Sequence, residues 1–152
     1  MTATFADYAA QQDARNTIQL NVTKWTLMLC DALKQNYIDY SIKSHKRCLE
    51  RGESVDYNNS RITDLKNGEC DYEFIIESGR KYHKIIMVID NGPNRSPSRS
   101  CHAFVDKKTG EIYKSSSWKS PAKGVRYDLR IIEQREWLLQ NADWASSYLY
   151  AR

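Results

Sequence analysis

The chain has little of what marks the easily assigned protein classes. No stretch of its 152 residues approaches the roughly 20 consecutive apolar residues that cross a bilayer, so no membrane-spanning helix and no membrane partner are expected. The opening MTATFADYAAQQDAR has neither a basic start nor an apolar core, which argues against a secretory leader. Cysteine is sparse. Cys30, Cys48, Cys70 and Cys101 stand far apart, which excludes a zinc knuckle, a redox pair or a disulfide framework and predicts free thiols in a reducing cytosol. The three histidines, His45, His83 and His102, have no carboxylate or cysteine at metal-ligand spacing, and neither a metal nor another cofactor is expected. Asn91-Gly92-Pro93 lacks the Gly-Lys of a phosphate loop, and Ser115-Ser116-Ser117 has no elbow glycines. Cys101 and His102 are strand neighbours that would point to opposite faces, so they do not pair as nucleophile and base. Nothing specifies a reaction, and the expectation is a binding protein rather than an enzyme.

What is present suffices for one packed domain spanning residues 1–152. A chain of this length buries roughly 70% of its unfolded surface, and 4 Trp, 10 Tyr and 3 Phe argue against long disorder. The net charge of +4 is unevenly spread. From Arg80 to Arg130 twelve Lys and Arg face four Asp and Glu, a net of +8, whereas the remainder carries eleven against fifteen, a net of −4. Such asymmetry predicts a positive face for an anionic partner, nucleic acid first among them. A merely solvated basic rim is the plainer alternative.

The pattern along the chain predicts an α+β fold. Ile18, Val22, Trp25, Leu29, Ala32 and Leu33 recur at helical steps, continued by Tyr37 and Tyr40. Asn16 or Thr17 is the expected cap, with residues 1–15 a loose tail or a separate short helix. The polar run Gly52–Gly68 reads as a connecting loop with at most a turn of helix. Two hairpins follow, Cys70–Glu77 with Lys81–Asp90 and Cys101–Asp106 with Glu111–Lys114, separated by the breaker-rich 91–97 segment. Gly110 stands where the second hairpin turn needs a positive φ. A last helix is expected from about Asp128, with Trp137, Leu138, Asn141, Trp144, Ala145, Tyr148 and Leu149 on one broad face. The sum is an antiparallel sheet of about four strands, flanked on one side by a long N-terminal and a C-terminal helix.

The densest chemistry lies in Ser100–Arg130. Trp118-Lys119-Ser120-Pro121-Ala122-Lys123-Gly124-Val125-Arg126-Tyr127 places three cations and two large aromatics on a proline-stiffened loop, just after Lys107, Lys108 and Lys114. Cations neutralise phosphates and an indole or phenol stacks on an unpaired base, so these eight cationic and aromatic residues form the candidate nucleic-acid site. The alternative is that Trp118 anchors the loop in the core. His102 is a further candidate because it falls in the same block. A wide Trp137/Trp144/Tyr148 face, if left uncovered, would instead favour a protein partner or a homodimer.

The strings His102-Ala103-Phe104-Val105-Asp106, Thr109-Gly110-Glu111-Ile112-Tyr113-Lys114 and Trp118-Lys119-Ser120-Pro121-Ala122-Lys123 resemble a signature of small uncharacterised proteins of tailed bacteriophages. The resemblance covers about a fifth of the chain and carries over no catalytic residue. It implies a phage accessory protein in the cytoplasm of an infected bacterium, or in the virion. Such a protein would act on nucleic acid or, alternatively, on a host or phage protein in takeover, anti-defence or assembly.

Overall fold

The computed structural model describes residues 4–150. Its elements run α1 (Phe5–Glu50), α2 (Val55–Lys66), β1 (Tyr72–Ser78), β2 (Tyr82–Ile89), β3 (Ser98–Asp106), β4 (Glu111–Lys114), β5 (Tyr127–Asp128) and α3 (Ile132–Asn141), then a 3-10 turn at Ser147–Leu149. The α+β reading holds, with one strand more than expected.

Helix α1 is a single rod of 46 residues, about 70 Å long at 1.5 Å per residue. No glycine or proline occurs before Gly52, so nothing interrupts it. Its cap is Thr4, not Asn16 or Thr17: Thr4 Oγ1 accepts from the Asp7 amide and Asp7 accepts from the Thr4 amide, both at 3.1 Å. These bonds hold the Asp7 carboxyl below its usual range. Thr17 instead donates its hydroxyl to the Asp13 carbonyl within the helix. Residues 5–15 therefore belong to α1 rather than to a tail or a separate helix, and residues 1–3 of that expectation lie outside the described residues.

The polar segment after Gly52 is helical where a loop was expected. Ile62 and Leu65 are buried, and α2 packs back on α1. Asn58, one turn before Ile62, fixes the start. Its Nδ2 donates to the Glu53 and Ser54 carbonyls at 2.8 and 3.1 Å, and its Oδ1 lies 2.6 Å from His45 Nδ1.

The five strands form an antiparallel meander, β1-β2-β3-β4-β5. Phe74, Ile85, Ala103, Val105 and Ile112 share one core cluster with Val22, Leu29 and Leu33 of α1 and with Leu138, Tyr148 and Leu149. Helices thus cover one face of the sheet. Ile85 pairs with Ala103 and Ile86 with Cys101, leaving His102 as the extra residue of a β-bulge.

The C-terminal helix is shorter than predicted. Tyr127 and Asp128 pair with Ile112 and Glu111 as β5, and α3 ends at Asn141. Beyond it, the Asp143 carboxylate accepts from the Ser147 and Tyr148 amides and from the Ser147 hydroxyl, organising the final turn. Trp144 and Tyr148 are therefore placed by that turn and not by a helix face.

Candidate nucleic-acid interface

The β1–β2 and β3–β4 turns lie side by side at one end of the sheet. Tyr82 is opposite Asp106 in the ladder, and the Lys107 amide donates to the Lys81 carbonyl at 3.0 Å. The register brings Arg80 and Lys81 of the first turn beside Lys107 and Lys108 of the second. Asp106 forms no ion pair with them among the described residues; its carboxylate caps the second turn by accepting from the Lys108 and Thr109 amides at 2.8 and 3.1 Å. Gly110 closes that turn at φ +76°, as expected.

On the face turned away from the helices, Tyr82, Phe104 and Tyr113 form an aromatic row with centroids 5.5 and 6.1 Å from Tyr82. Lys84, opposite Phe104 in the ladder, sets its ammonium 5.7 Å from the Phe104 ring and 4.3 Å from the Trp118 ring. The Trp118 loop is bent back over this face by a bridge between Ser115 and Pro121. Trp118 is thus neither a core anchor nor an open platform. It is 40% exposed and its ring already carries Lys84 and, at 5.6 Å, Arg99.

Three hollows adjoin along this end. One of about 230 Å³ lies among Arg80, Lys81, Tyr82, Lys84, Phe104 and Lys119. The next, about 390 Å³, is walled by Arg80, Lys81, Asp106, Lys108 and Thr109. The third, about 400 Å³, shares Lys108 and reaches α1 at Arg15, Ile18 and Gln19. None of Arg80, Lys81, Lys84, Lys107, Lys108 and Lys119 forms an ion pair among the described residues. Ion pairs form elsewhere, as between Lys34 and Glu73 and between Arg99 and Glu77. What marks this end is how closely its cations are grouped, with Lys84 resting over the Trp118 ring and Lys107 on the Gly79 carbonyl.

The predicted site residues divide accordingly. Lys107, Lys108 and Lys119 join the cationic end, with Lys107 also donating to the Gly79 carbonyl at 3.0 Å. Lys114 sits 4.8 Å over the Tyr150 ring, and Lys123 is exposed on the loop. Arg126 is a fold residue, donating to the Leu149, Lys123 and Gly124 carbonyls at 2.7 to 3.2 Å. Tyr127 likewise turns inward, its hydroxyl donating to the Tyr148 carbonyl at 2.7 Å while its ring stacks on Trp137. Sequence reasoning missed Arg80, Lys81, Tyr82, Lys84 and Tyr113. The alternation Tyr82, Lys84 marked one strand face, but only the pairing register brings that face to the later block.

His102 is buried in the helix-facing core, edge-on to Phe74 and 2.7 Å from the Tyr148 hydroxyl. Burial lowers its pKa to about 4, opposed by Asp143, so it is neutral at physiological pH and lies away from the cationic end. His83 is buried too. Thr23 gives its proton to the Gln19 carbonyl, so its oxygen accepts from His83 Nε2–H at 3.0 Å, and Nδ1 accepts from the Ser78 hydroxyl at 2.7 Å. This chain ties the first hairpin to α1. Among the described residues no cluster of three or more His, Cys, Asp or Glu could hold a metal, and no helix is long and apolar enough to cross a membrane.

No curated protein and no solved structure matches the chain. A family model matches residues 5–151, nearly the full length, and by that match the chain belongs to the family of unknown function DUF7717.

Proposed function

We propose that this protein binds nucleic acid through the cationic end of its sheet, as a phage accessory protein without enzymatic activity. One observation carries the reading. Two hairpin turns, strand β2 and the Trp118 loop group six cations at one end of the sheet, five of them lining adjoining hollows, and among the described residues no carboxylate forms an ion pair with any of them. Phosphates are the ligands that reward such an array, by releasing condensed counterions. The strings resembling tailed-phage proteins flank Lys107 and Lys108 and include Lys119 of this surface, which supports a phage setting in an infected bacterial cytoplasm or in the virion. Packing of Tyr148 and Trp144 removes most of the face that would have favoured a protein partner, since only Trp137 of the three counts as exposed. A homodimer or a host protein remains the alternative reading, favoured by exposed Leu20, Leu27 and Met28 on α1. An electrophoretic mobility shift with single- and double-stranded DNA and RNA tests the proposal. Binding at low salt that weakens steeply as salt rises supports it, and absence of any shift at low salt rejects it.

A further inference from the structure

The smallest hollow differs in kind from the two beside it. Its floor is aromatic, Tyr82 meeting Phe104 edge to face at 5.5 Å, and its rim is cationic, from Arg80, Lys81, Lys84 and Lys119. Phe104 is only 2% exposed, so Tyr82, half-buried, is the ring that a ligand can reach. Glu77 also lines the wall, but Arg99 holds its carboxylate at 2.9 Å. A volume of about 230 Å³ falls below the roughly 300–1,000 Å³ of sites that enclose a whole small molecule. A ligand seated here must extend into solvent. Planar apolar surface bounded by cations, at the mouth of a longer cationic track, suits one unit of an anionic polymer that has a planar ring.

We propose that this hollow seats one unpaired nucleotide of a single strand, its base against Tyr82 and its flanking phosphates among Arg80, Lys81, Lys84 and Lys119. The inference rests on the reading that this end binds nucleic acid and names the form bound. A duplex keeps its bases stacked inside and offers the hollow only phosphates. The single strand is therefore the preferred ligand, because each base presents a face for stacking. Trp118 is not the platform, since it does not line this hollow and carries Lys84 and Arg99 over its ring at 4.3 and 5.6 Å. Lys81, 5.3 Å over the Tyr82 ring, is itself one of the rim lysines that would turn to a phosphate as the base seats.

The test uses a short oligothymidylate carrying one photoactivatable thymine, with the full chain. Expected is a cross-link mapped to the peptide containing Tyr82, competed by unlabelled single strand and poorly by duplex of the same length. Tyr82→Ala should weaken binding roughly 5- to 150-fold, and Tyr82→Phe, which keeps the ring, should bind like the wild type. If Tyr82→Ala proves unfolded, the wild-type cross-link still decides. Oligonucleotide binding with cross-links only at other peptides, or equal competition by duplex, overturns the seat while leaving the broader reading intact. Absence of binding to any nucleic acid removes both.

Discussion

At the scale of single residues, the two aromatic and histidine positions that drew most attention in the sequence have roles set by their neighbours. Trp118 lies on the outer face with Lys84 and Arg99 against its ring. Trp118→Ala should therefore destabilise by about 0.5–2 kcal/mol, the range of a cation–π contact, and not by the roughly 3–5 kcal/mol of a lost core aromatic. Urea unfolding measures the difference directly. His102 gives a pH prediction. Its folded pKa of about 4 lies below the ordinary 6.5, so the unfolded chain binds the proton more readily. The stability that follows is present above about pH 6.5 and is lost as pH falls towards 4, on the order of 3 kcal/mol in total. His83, also lowered by burial, adds to the same window. Unfolding free energies at pH 7 and pH 4.5 should differ more in the wild type than in His102→Gln, and equal differences would remove His102 as a source.

At the scale of elements, local chemistry was legible wherever periodicity was strong. The stripe from Ile18 to Leu33, the alternation of Tyr72, Phe74 and Ile76, and Gly110 at its turn all stand where the pattern put them. Helix α2 was hidden because Asn58, Ile62 and Leu65 have helical spacing, but a buried asparagine reads as a loop residue until its partners Glu53, Ser54 and His45 are known. The end of α3 was hidden for the opposite reason. The apolar face continues through Trp144 and Tyr148, while the Asp143 carboxylate builds a competing turn. Half of the candidate site was legible as a basic block, and the other half required the register that pairs Tyr82 with Asp106. The β3–β4 turn can be tested at Gly110. With φ +76° and a Cβ that would lie 3.4 Å from Val22 Cγ2 and Arg130 Cγ, Gly110→Ala should destabilise by about 1–2 kcal/mol or more. A shift in denaturation midpoint below about 0.5 kcal/mol equivalent, within the range of ordinary surface substitutions, would contradict the tight packing of this turn on α1.

At the scale of the molecule, the helices and the charges divide the sheet. One face is closed by α1, α3 and the final turn through a continuous core. The other face and the hairpin end carry Arg80, Lys81, Lys84, Lys107, Lys108 and Lys119, half of the cations in an Arg80–Arg130 portion with a net +8 against −4 elsewhere. The fold thus groups six cations of a modestly charged chain at one end, the end at which a polyanion docks in the proposed function. The most direct measurement of that claim is the salt dependence of nucleic-acid affinity for the wild type and for the Arg80→Ala/Lys108→Ala double variant. Neither side chain forms an ion pair or hydrogen bond among the described residues, so circular dichroism should be unchanged. Each neutralised phosphate contributes about 0.7 to 0.9 to the slope of log affinity against log salt. The account predicts a variant slope shallower by about 1.4 to 1.8, with weaker binding at every salt concentration. A variant that binds with the wild-type slope and affinity would contradict it.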